Sequence, residues 1–133
     1  MHDGPLLAVP DGTHARIAAD TFRMLADPTR VKILWALLQG EAHVNALAEL
    51  VGSTPTTVSR HLAKLRLAGL VDSRREGTYI HYSAGSGHVR RLLAEALSHA
   101  EHVSGLATDA PHAYAPRTPS PTAPRPAEPT REA

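Results

Sequence analysis

Apolar residues recur at helical spacing along most of the first 106 positions of the chain. The clearest helix is predicted over residues 55–68, because apolar side chains recur there at each turn of one face. Ser53 or Thr54 can cap its first turn. Pro55 fits its first helical position, and Gly69 suits the residue after its last turn. The face expected to be buried carries Val58, Leu62 and Leu65, and the opposite face is polar.

Three shorter helical patterns precede this helix, near residues 13–26, 28–39 and 43–51. The second follows Asp27, a good N-cap, and begins with a proline that fits the first helical position. Gly52 ends the third helix, so only two or three residues separate it from the fourth. Two helices joined by such a tight turn form a helix-turn-helix. In the first helix, Ile17, Thr21, Met24 and Leu25 lie towards one side, with Phe22 beside them. The residues of the second and third helices expected to be buried are Val31, Leu34, Trp35, Leu38, Val44, Leu47 and either Leu50 or Val51.

The pattern changes from helical to alternating directly after Gly69. Residues 70–74 and 78–82 are predicted to form two strands, joined by a turn at residues 75–77. Because this short basic hairpin follows a helix-turn-helix, we interpret it as a wing. A fifth helix is predicted over residues 86–106. The expected fold is therefore mainly α with a small β-hairpin, a winged helix-turn-helix.

One folded domain, residues 13–107, is expected between two flexible segments. Residues 1–12 lack periodicity and are expected to form a flexible arm. Seven of the 26 residues from 108 to 133 are proline, a composition that is expected to be disordered. The sequence contains no cysteine, which excludes disulfides and thiolate metal sites. No apolar run approaches the roughly 20 residues of a membrane span, so a cytoplasmic protein that does not enter membranes is expected.

Positive charge is concentrated in the second half of the predicted domain. The whole chain has a net charge of +1, whereas residues 54–91 contain seven Lys or Arg and two acidic residues. Hydroxyl groups and cations at a helix N-terminus fit the major groove of double-stranded DNA, and a basic hairpin fits its phosphates. The side chains predicted to contact DNA are Thr54, Thr56, Thr57, Ser59, Arg60, His61, Lys64, Arg74 and Arg75. The sequence lacks a Gly-rich phosphate loop and a His-Glu-x-x-His motif, so an enzyme is not expected.

These motifs, taken in order, resemble the ArsR/SmtB family of metal-responsive winged-helix repressors over roughly residues 14–106. The resemblance implies a homodimer that binds operator DNA when it is free of metal and releases the DNA when metal binds. The segments that carry the resemblance are LADPTR at 25–30, LAELVG at 47–52, VSRHLAKL at 58–65, AGLV at 68–71 and REGTYIHY at 75–82.

Three histidines follow one margin of the last predicted helix. His99 and His102 lie 11 and 14 residues after His88, and both steps are close to whole helical turns. A step of 11 residues nevertheless rises about 16 Å, too far for one ion to be bound by His88 and His99 of the same helix. An antiparallel copy of the helix could bring His88 close to the other two. The spacing therefore predicts a homodimer with two symmetric metal sites between its chains.

The family resemblance also bears on the ligands and on the metal. Residues of the last helix match the ligand pattern of the nickel- and cobalt-sensing members, which recruit further ligands from the chain ends. Ser86 stands where zinc-sensing members usually place an aspartate. The resemblance implies Ni(II) or Co(II) as effector; a zinc-sensing repressor with the same site, or a family regulator that does not sense metal, are the alternatives. The candidate ligands are His2, His88, His99, Glu101, His102 and His112.

Overall fold

The computed structural model describes residues 8–105 of the chain. Within them, residues 8–89 belong to one compact unit and the remainder, from Arg90 onward, to a second. The predicted fold class, mainly α with one small hairpin, is confirmed. The elements are, in chain order, α1 (Gly12–Leu25), α2 (Pro28–Gln39), α3 (Val44–Val51), α4 (Pro55–Leu67), β1 (Asp72–Glu76), β2 (Tyr79–Ser83) and α5 (Gly87–Ser104).

Side chains cap the first turns of α2 and α4. Asp27 caps α2 as predicted, because its Oδ1 accepts a hydrogen bond of 3.0 Å from the backbone N–H of Arg30. Of the two candidates for α4, Thr54 is the cap, and its hydroxyl accepts from the backbone N–H of Thr57 at 3.2 Å. Gly69 follows α4 with a φ of +75°, a left-handed conformation that favours glycine. Local sequence signals therefore set both ends of α4.

The core of the first unit lies between α2, α3 and α4. The predicted burial of α4 is confirmed, whereas the prediction for α2 is wrong in part because Val31 and Trp35 are only half-buried. Helix α2 packs against α1, α3, α4 and β2, so its buried face is wider than the single predicted stripe. This face includes Ile33 and Leu37 in place of Val31 and Trp35. On α3, Val51 is buried and Leu50 is 71% exposed, which decides between the two alternatives. The buried residues are Ile33, Leu34, Leu37, Leu38, Leu47, Ala48, Val51, Val58, Leu62, Leu65 and Val71.

Helix α1 has no buried residue. Ile17 is 59% exposed and Phe22 is 56% exposed, so its apolar face is uncovered in the single chain. The end of α1 is held instead by the Arg30 guanidinium, which donates to the backbone carbonyls of Met24 at 2.6 Å and Arg23 at 3.3 Å. Polar contacts thus attach α1 while leaving its apolar side chains available to another surface.

The first strand of the hairpin begins two residues later than the sequence pattern predicts. Leu70 still bonds the end of α4, through its N–H to the carbonyl of Leu65 at 2.9 Å, so β1 begins only at Asp72. Arg75 consequently lies within β1, opposite Ile80 in the antiparallel register, and not in the turn. The turn is formed by residues 77 and 78, where glycine has a φ of +61°.

Helix α5 begins after Ser86, whose hydroxyl accepts from the backbone N–H of Val89 at 3.3 Å. Among the large apolar residues of α5, Val89 and Leu93 are buried, whereas Leu92 is 38% exposed and Val103 is 69% exposed. The predicted flexible tail at residues 108–133 and most of the predicted N-terminal arm lie outside the described residues. In the part of the chain that the structure describes, every helix is too short or too polar to cross a membrane.

Candidate nucleic-acid interface and histidine helix

The exposed face of α4 presents most of the side chains that were predicted to contact DNA. Thr56, Ser59, Arg60 and Lys64 are exposed, while the apolar residues between them point into the core. Three of the four line an open groove together with Val44 of α3. Neither basic side chain forms an ion pair with another residue between positions 8 and 105. Both cations are therefore available to a polyanion.

Thr54 and Thr57 have a structural task at the start of α4. In addition to the cap, the Thr54 hydroxyl donates to the Thr57 hydroxyl at 2.9 Å. Thr54 remains exposed and Thr57 is half-buried. Together they fix the N-terminal turn of α4, where the backbone N–H groups and the helix dipole attract negative charge. Their hydroxyls still lie at the end of the helix that would approach a phosphate.

His61 does not lie on the exposed face of α4 beside Arg60, so the structure does not support its predicted contact with DNA. Only 15% of its side chain is exposed, and its Nε2 lies 3.9 Å from the Oδ1 of Asp27. Its Nδ1 is buried without a hydrogen-bond partner among the residues that the structure describes. One position before the buried Leu62, the ring turns towards the start of α2. We therefore omit His61 from the candidate DNA contacts.

The Asp27 carboxylate is stabilised by its role at the start of α2. The backbone N–H of Arg30 lowers the pKa of Asp27, and partial burial opposes this shift. Electrostatic interactions with His61 and with Arg30 lower the pKa of Asp27 further. Asp27 thus links the start of α2 to α4, the helix that carries the candidate interface.

The two arginines of the wing differ in availability. Arg74 donates from Nε and Nη2 to the two carboxylate oxygens of Glu41, at 3.2 and 2.9 Å, and from Nη1 to Glu76 at 3.0 Å. These hydrogen bonds raise the pKa of Arg74 and lower that of Glu41. Arg75 is exposed and forms no ion pair with a described residue. The predicted contact of Arg74 with DNA is therefore not supported, because its guanidinium is engaged within the protein.

Sequence reasoning missed the partners of the wing. Glu41 lies 33 residues before Arg74, and no local pattern links the two. His81 of β2 adds a contact of 3.3 Å from its Nε2 to Glu76. The ring of His43, which caps α3, lies 5.9 Å from the ring of Tyr79 and 6.5 Å from that of His81. The wing is thus joined to the start of α3 by polar and ring contacts that only the tertiary structure reveals.

The candidate metal ligands on α5 are accessible but far apart within one chain. His88, His99 and His102 are exposed, and Glu101 is half-buried. In a continuous helix the first two are separated by a rise of about 16 Å. Among residues 8–105, no group of three or more His, Asp or Glu side chains could hold a metal ion. The remaining two candidates, His2 and His112, lie outside the described residues.

A helix-turn-helix with polar and basic side chains exposed on its second helix, followed by a basic hairpin, defines a winged helix-turn-helix DNA-binding protein. Residues 27–73 match the model of the arsR family of bacterial regulatory proteins. The chain is 52% identical over 86 residues to the HTH-type transcriptional regulator KmtR of Mycobacterium tuberculosis, covering 65% of this chain and 66% of that protein. It is 37% identical over 89 residues to a cadmium resistance transcriptional regulatory protein, a CadC homologue of Staphylococcus aureus, covering 66% of this chain and 74% of that protein.

The chain therefore belongs to the ArsR family of bacterial regulatory proteins, and the predictions of the family and of a regulator that is not an enzyme are confirmed. A solved structure of a homodimeric winged helix-turn-helix DNA-binding domain from Mycobacterium bovis is similar, with a TM-score of 0.61 and 34% identity. The match covers 80% of this chain and all of that one. The chain spans just under two thirds of KmtR, at 66% of its length.

Proposed function

We propose that the protein is a metal-sensing transcriptional repressor that binds operator DNA as a metal-free homodimer. The observation that carries the proposal is the pairing of two surfaces in one chain. One is the exposed polar and basic face of α4, and the other is the row of exposed histidines on α5. The relatives support the general class, since one of them is named for cadmium resistance.

Double-stranded DNA is the partner that fits the face of α4 and the wing. Arg60, Lys64 and Arg75 are exposed cations without ion pairs among the described residues. Thr56 and Ser59 supply hydroxyls on the same face. Arginine or lysine bonded to guanine is the commonest specific base contact in the major groove, and contacts from cations to phosphates position the protein on the duplex. We therefore assign base contacts to α4 and a phosphate contact to Arg75.

A homodimer accounts for the apolar side chains that a single chain leaves uncovered. On α1, Ile17 and Phe22 are more than half exposed. On α5, Leu92 and Val103 are also exposed. A related winged helix-turn-helix domain is itself homodimeric. Burying these side chains between two copies removes apolar surface from water and is the favourable term in association.

We assign the effector site to His88 of one chain and to His99 and His102 of its partner. The donors are exposed, and their spacing prevents chelation by one α5 helix but suits an antiparallel pair of helices. Imidazole suits nickel, cobalt and zinc alike, so coordination geometry and availability select the metal. We propose Ni(II) or Co(II) as the effector, with Zn(II) as the alternative. Additional ligands are proposed from Glu101, His2 and His112.

Release of DNA requires that the metal binds one state of the dimer more tightly than another. Metal can lower operator affinity only if it prefers the dimer conformation that does not fit DNA. The effect is reciprocal, and typical couplings of about 1–3 kcal/mol correspond to roughly 5- to 150-fold in affinity. Such a factor is sufficient to change the occupancy of an operator.

Operator titration with and without Co(II) tests the proposal. Wild-type protein is expected to bind labelled operator more weakly with cobalt, whereas the His88→Ala variant should bind operator normally and lose the response. His14→Ala, which removes an exposed imidazole from α1, is the matched control and should respond like wild type. The visible d–d spectrum of cobalt reports ligand loss in the same samples.

Two outcomes would contradict the proposal. A full cobalt response with an unchanged spectrum in His88→Ala would mean that the sensor lies elsewhere. A wild-type protein that binds operator but responds to none of Ni(II), Co(II) and Zn(II) would be a regulator of this family that does not sense metal.

A further inference from the structure

We infer that Glu41 and Arg74 form a positioning pair that fixes the wing relative to the helix-turn-helix, and that Arg74 does not itself contact DNA. The inference rests on the proposed DNA binding and extends it to the orientation of the wing. Glu41 lies in the connection between α2 and α3, and Arg74 lies in β1. The pair therefore joins two elements that are separated by the whole of α3 and α4.

The geometry of the pair is that of a two-pronged hydrogen bond. The guanidinium donates through Nε at 3.2 Å and through Nη2 at 2.9 Å, one bond to each oxygen of the Glu41 carboxylate. The remaining nitrogen of the guanidinium, Nη1, donates a hydrogen bond of 3.0 Å to the carboxylate of Glu76 in the same strand. A bidentate arrangement fixes direction as well as distance, which a single contact between point charges does not.

Backbone hydrogen bonds reinforce the same junction. Ala42, the residue after Glu41, forms an antiparallel bridge with Tyr82 of β2. The N–H of Tyr82 donates to the carbonyl of Ala42 at 2.8 Å, and the return bond is 3.1 Å. The segment before α3 thus extends the hairpin by one bridge. The Glu41 carboxylate adds a side-chain contact between the same segment and Arg74 of the hairpin.

Strand geometry separates the roles of the two neighbouring arginines. Successive residues of a strand project to opposite faces. When Arg74 is held against Glu41, the following residue, Arg75, is directed away from that junction and is exposed. The pair therefore determines where the free cation of the wing is presented relative to α4.

Charge argues against a direct phosphate contact by Arg74. Its single positive charge is shared between two carboxylates, those of Glu41 and Glu76. This group of three side chains carries a net negative charge, and it offers no net attraction to a phosphate. Three of the five N–H donors of the Arg74 guanidinium are already bonded to these carboxylates.

The test measures operator binding by the full chain at several salt concentrations. Removing a phosphate contact lowers the slope of log affinity against log salt by about 0.9, and this loss is expected for Arg75→Ala. Arg74→Ala and Glu41→Gln are expected to weaken operator binding by about two- to five-fold, in line with an exposed ion pair, with the wild-type slope. The double variant should be no weaker than Arg74→Ala, because that variant already lacks the contact with Glu41.

The sign of the Glu41→Gln effect is decisive. This substitution removes a negative charge near DNA, so electrostatics alone would tighten binding, whereas loss of positioning weakens it. Hydrogen exchange of the Tyr82 amide, measured without DNA, should be faster in Glu41→Gln and in Arg74→Ala. Tighter binding by Glu41→Gln, or a slope for Arg74→Ala that falls like that of Arg75→Ala, would overturn the inference.

If the proposed DNA-binding function is itself wrong, the same binding measurements give a different set of results. If wild-type protein showed no preference for operator and Arg60→Ala bound DNA like wild type, DNA recognition itself would be wrong. If Arg60→Ala weakened operator binding while Glu41→Gln tightened it, only the positioning pair would be rejected.

Discussion

Subunit mixing tests the prediction that each metal site takes ligands from both chains. His88 and His102 lie 14 residues apart on α5, which corresponds to a rise of about 21 Å. In the proposed homodimer each site uses His88 of one chain and the His99/His102 pair of the other. In a dimer of His88→Ala chains, both sites are incomplete. The same holds for a dimer of His102→Ala chains. A mixed dimer has one complete site, because one chain keeps His88 and the other keeps His102.

The expected recovery follows from symmetry. Random exchange of equal amounts of the two variants gives about half mixed dimers, each with one of the two wild-type sites. About a quarter of the wild-type site concentration should therefore reappear. Cobalt titration of the exchanged mixture, followed through the visible d–d bands, measures this fraction. Each variant taken alone through the same exchange should recover none.

A matched mixture supplies the control. His99→Ala combined with His102→Ala should recover no sites, because both substitutions remove ligands from the same half of the site. Equal cobalt binding by the two mixtures, or none by the first mixture at cobalt concentrations that saturate wild type, would refute the inter-chain arrangement.

Three further predictions concern DNA contact, folding and the tail. Arg60→Ala should weaken operator binding by about 1–3 kcal/mol in fluorescence anisotropy with unchanged urea unfolding, whereas Arg66→Ala, the same charge change later on α4, should have a smaller effect. Asp27→Ala should lower the free energy of unfolding by about 1 kcal/mol at fixed protein concentration, and Asp27→Asn, which can still cap α2, by less. Because the folded pKa of Asp27 is lowered, its carboxylate stabilises the fold above the ordinary pKa, and the difference between wild type and Asp27→Asn should vanish as the pH falls through the folded pKa. Truncation after residue 108 should leave operator binding intact and at most change the metal preference in a titration with Ni(II), Co(II) and Zn(II).

Features that depend on a few consecutive residues could be predicted from the sequence. Asp27 caps α2 and Gly69 ends α4 as predicted, because capping chemistry and left-handed glycines are local. The burial of Val58, Leu62 and Leu65 followed from helical periodicity alone. On α2, however, every position from 31 to 38 except Lys32 is apolar, so periodicity could not decide which side faces the other helices.

Features of the site that depend on distant residues could not be predicted. His61 lies between exposed and buried positions of α4, and only its neighbour across the fold, Asp27, reveals that it turns inward. Arg74 resembles a free cation in the sequence because its partner Glu41 is 33 residues away. The metal site is a different case, since its proposed ligands come from two chains and no single chain can bring them together.

Reciprocal coupling between DNA and metal is the most direct test of the proposed function. The affinity of wild-type dimer for Co(II) is measured with and without saturating operator, and the affinity for operator with and without saturating Co(II). If metal releases DNA through one dimer, both affinities must fall by the same factor, expected between roughly 5- and 150-fold. Unchanged cobalt affinity in the presence of operator would contradict the proposal that metal binding and DNA release are linked.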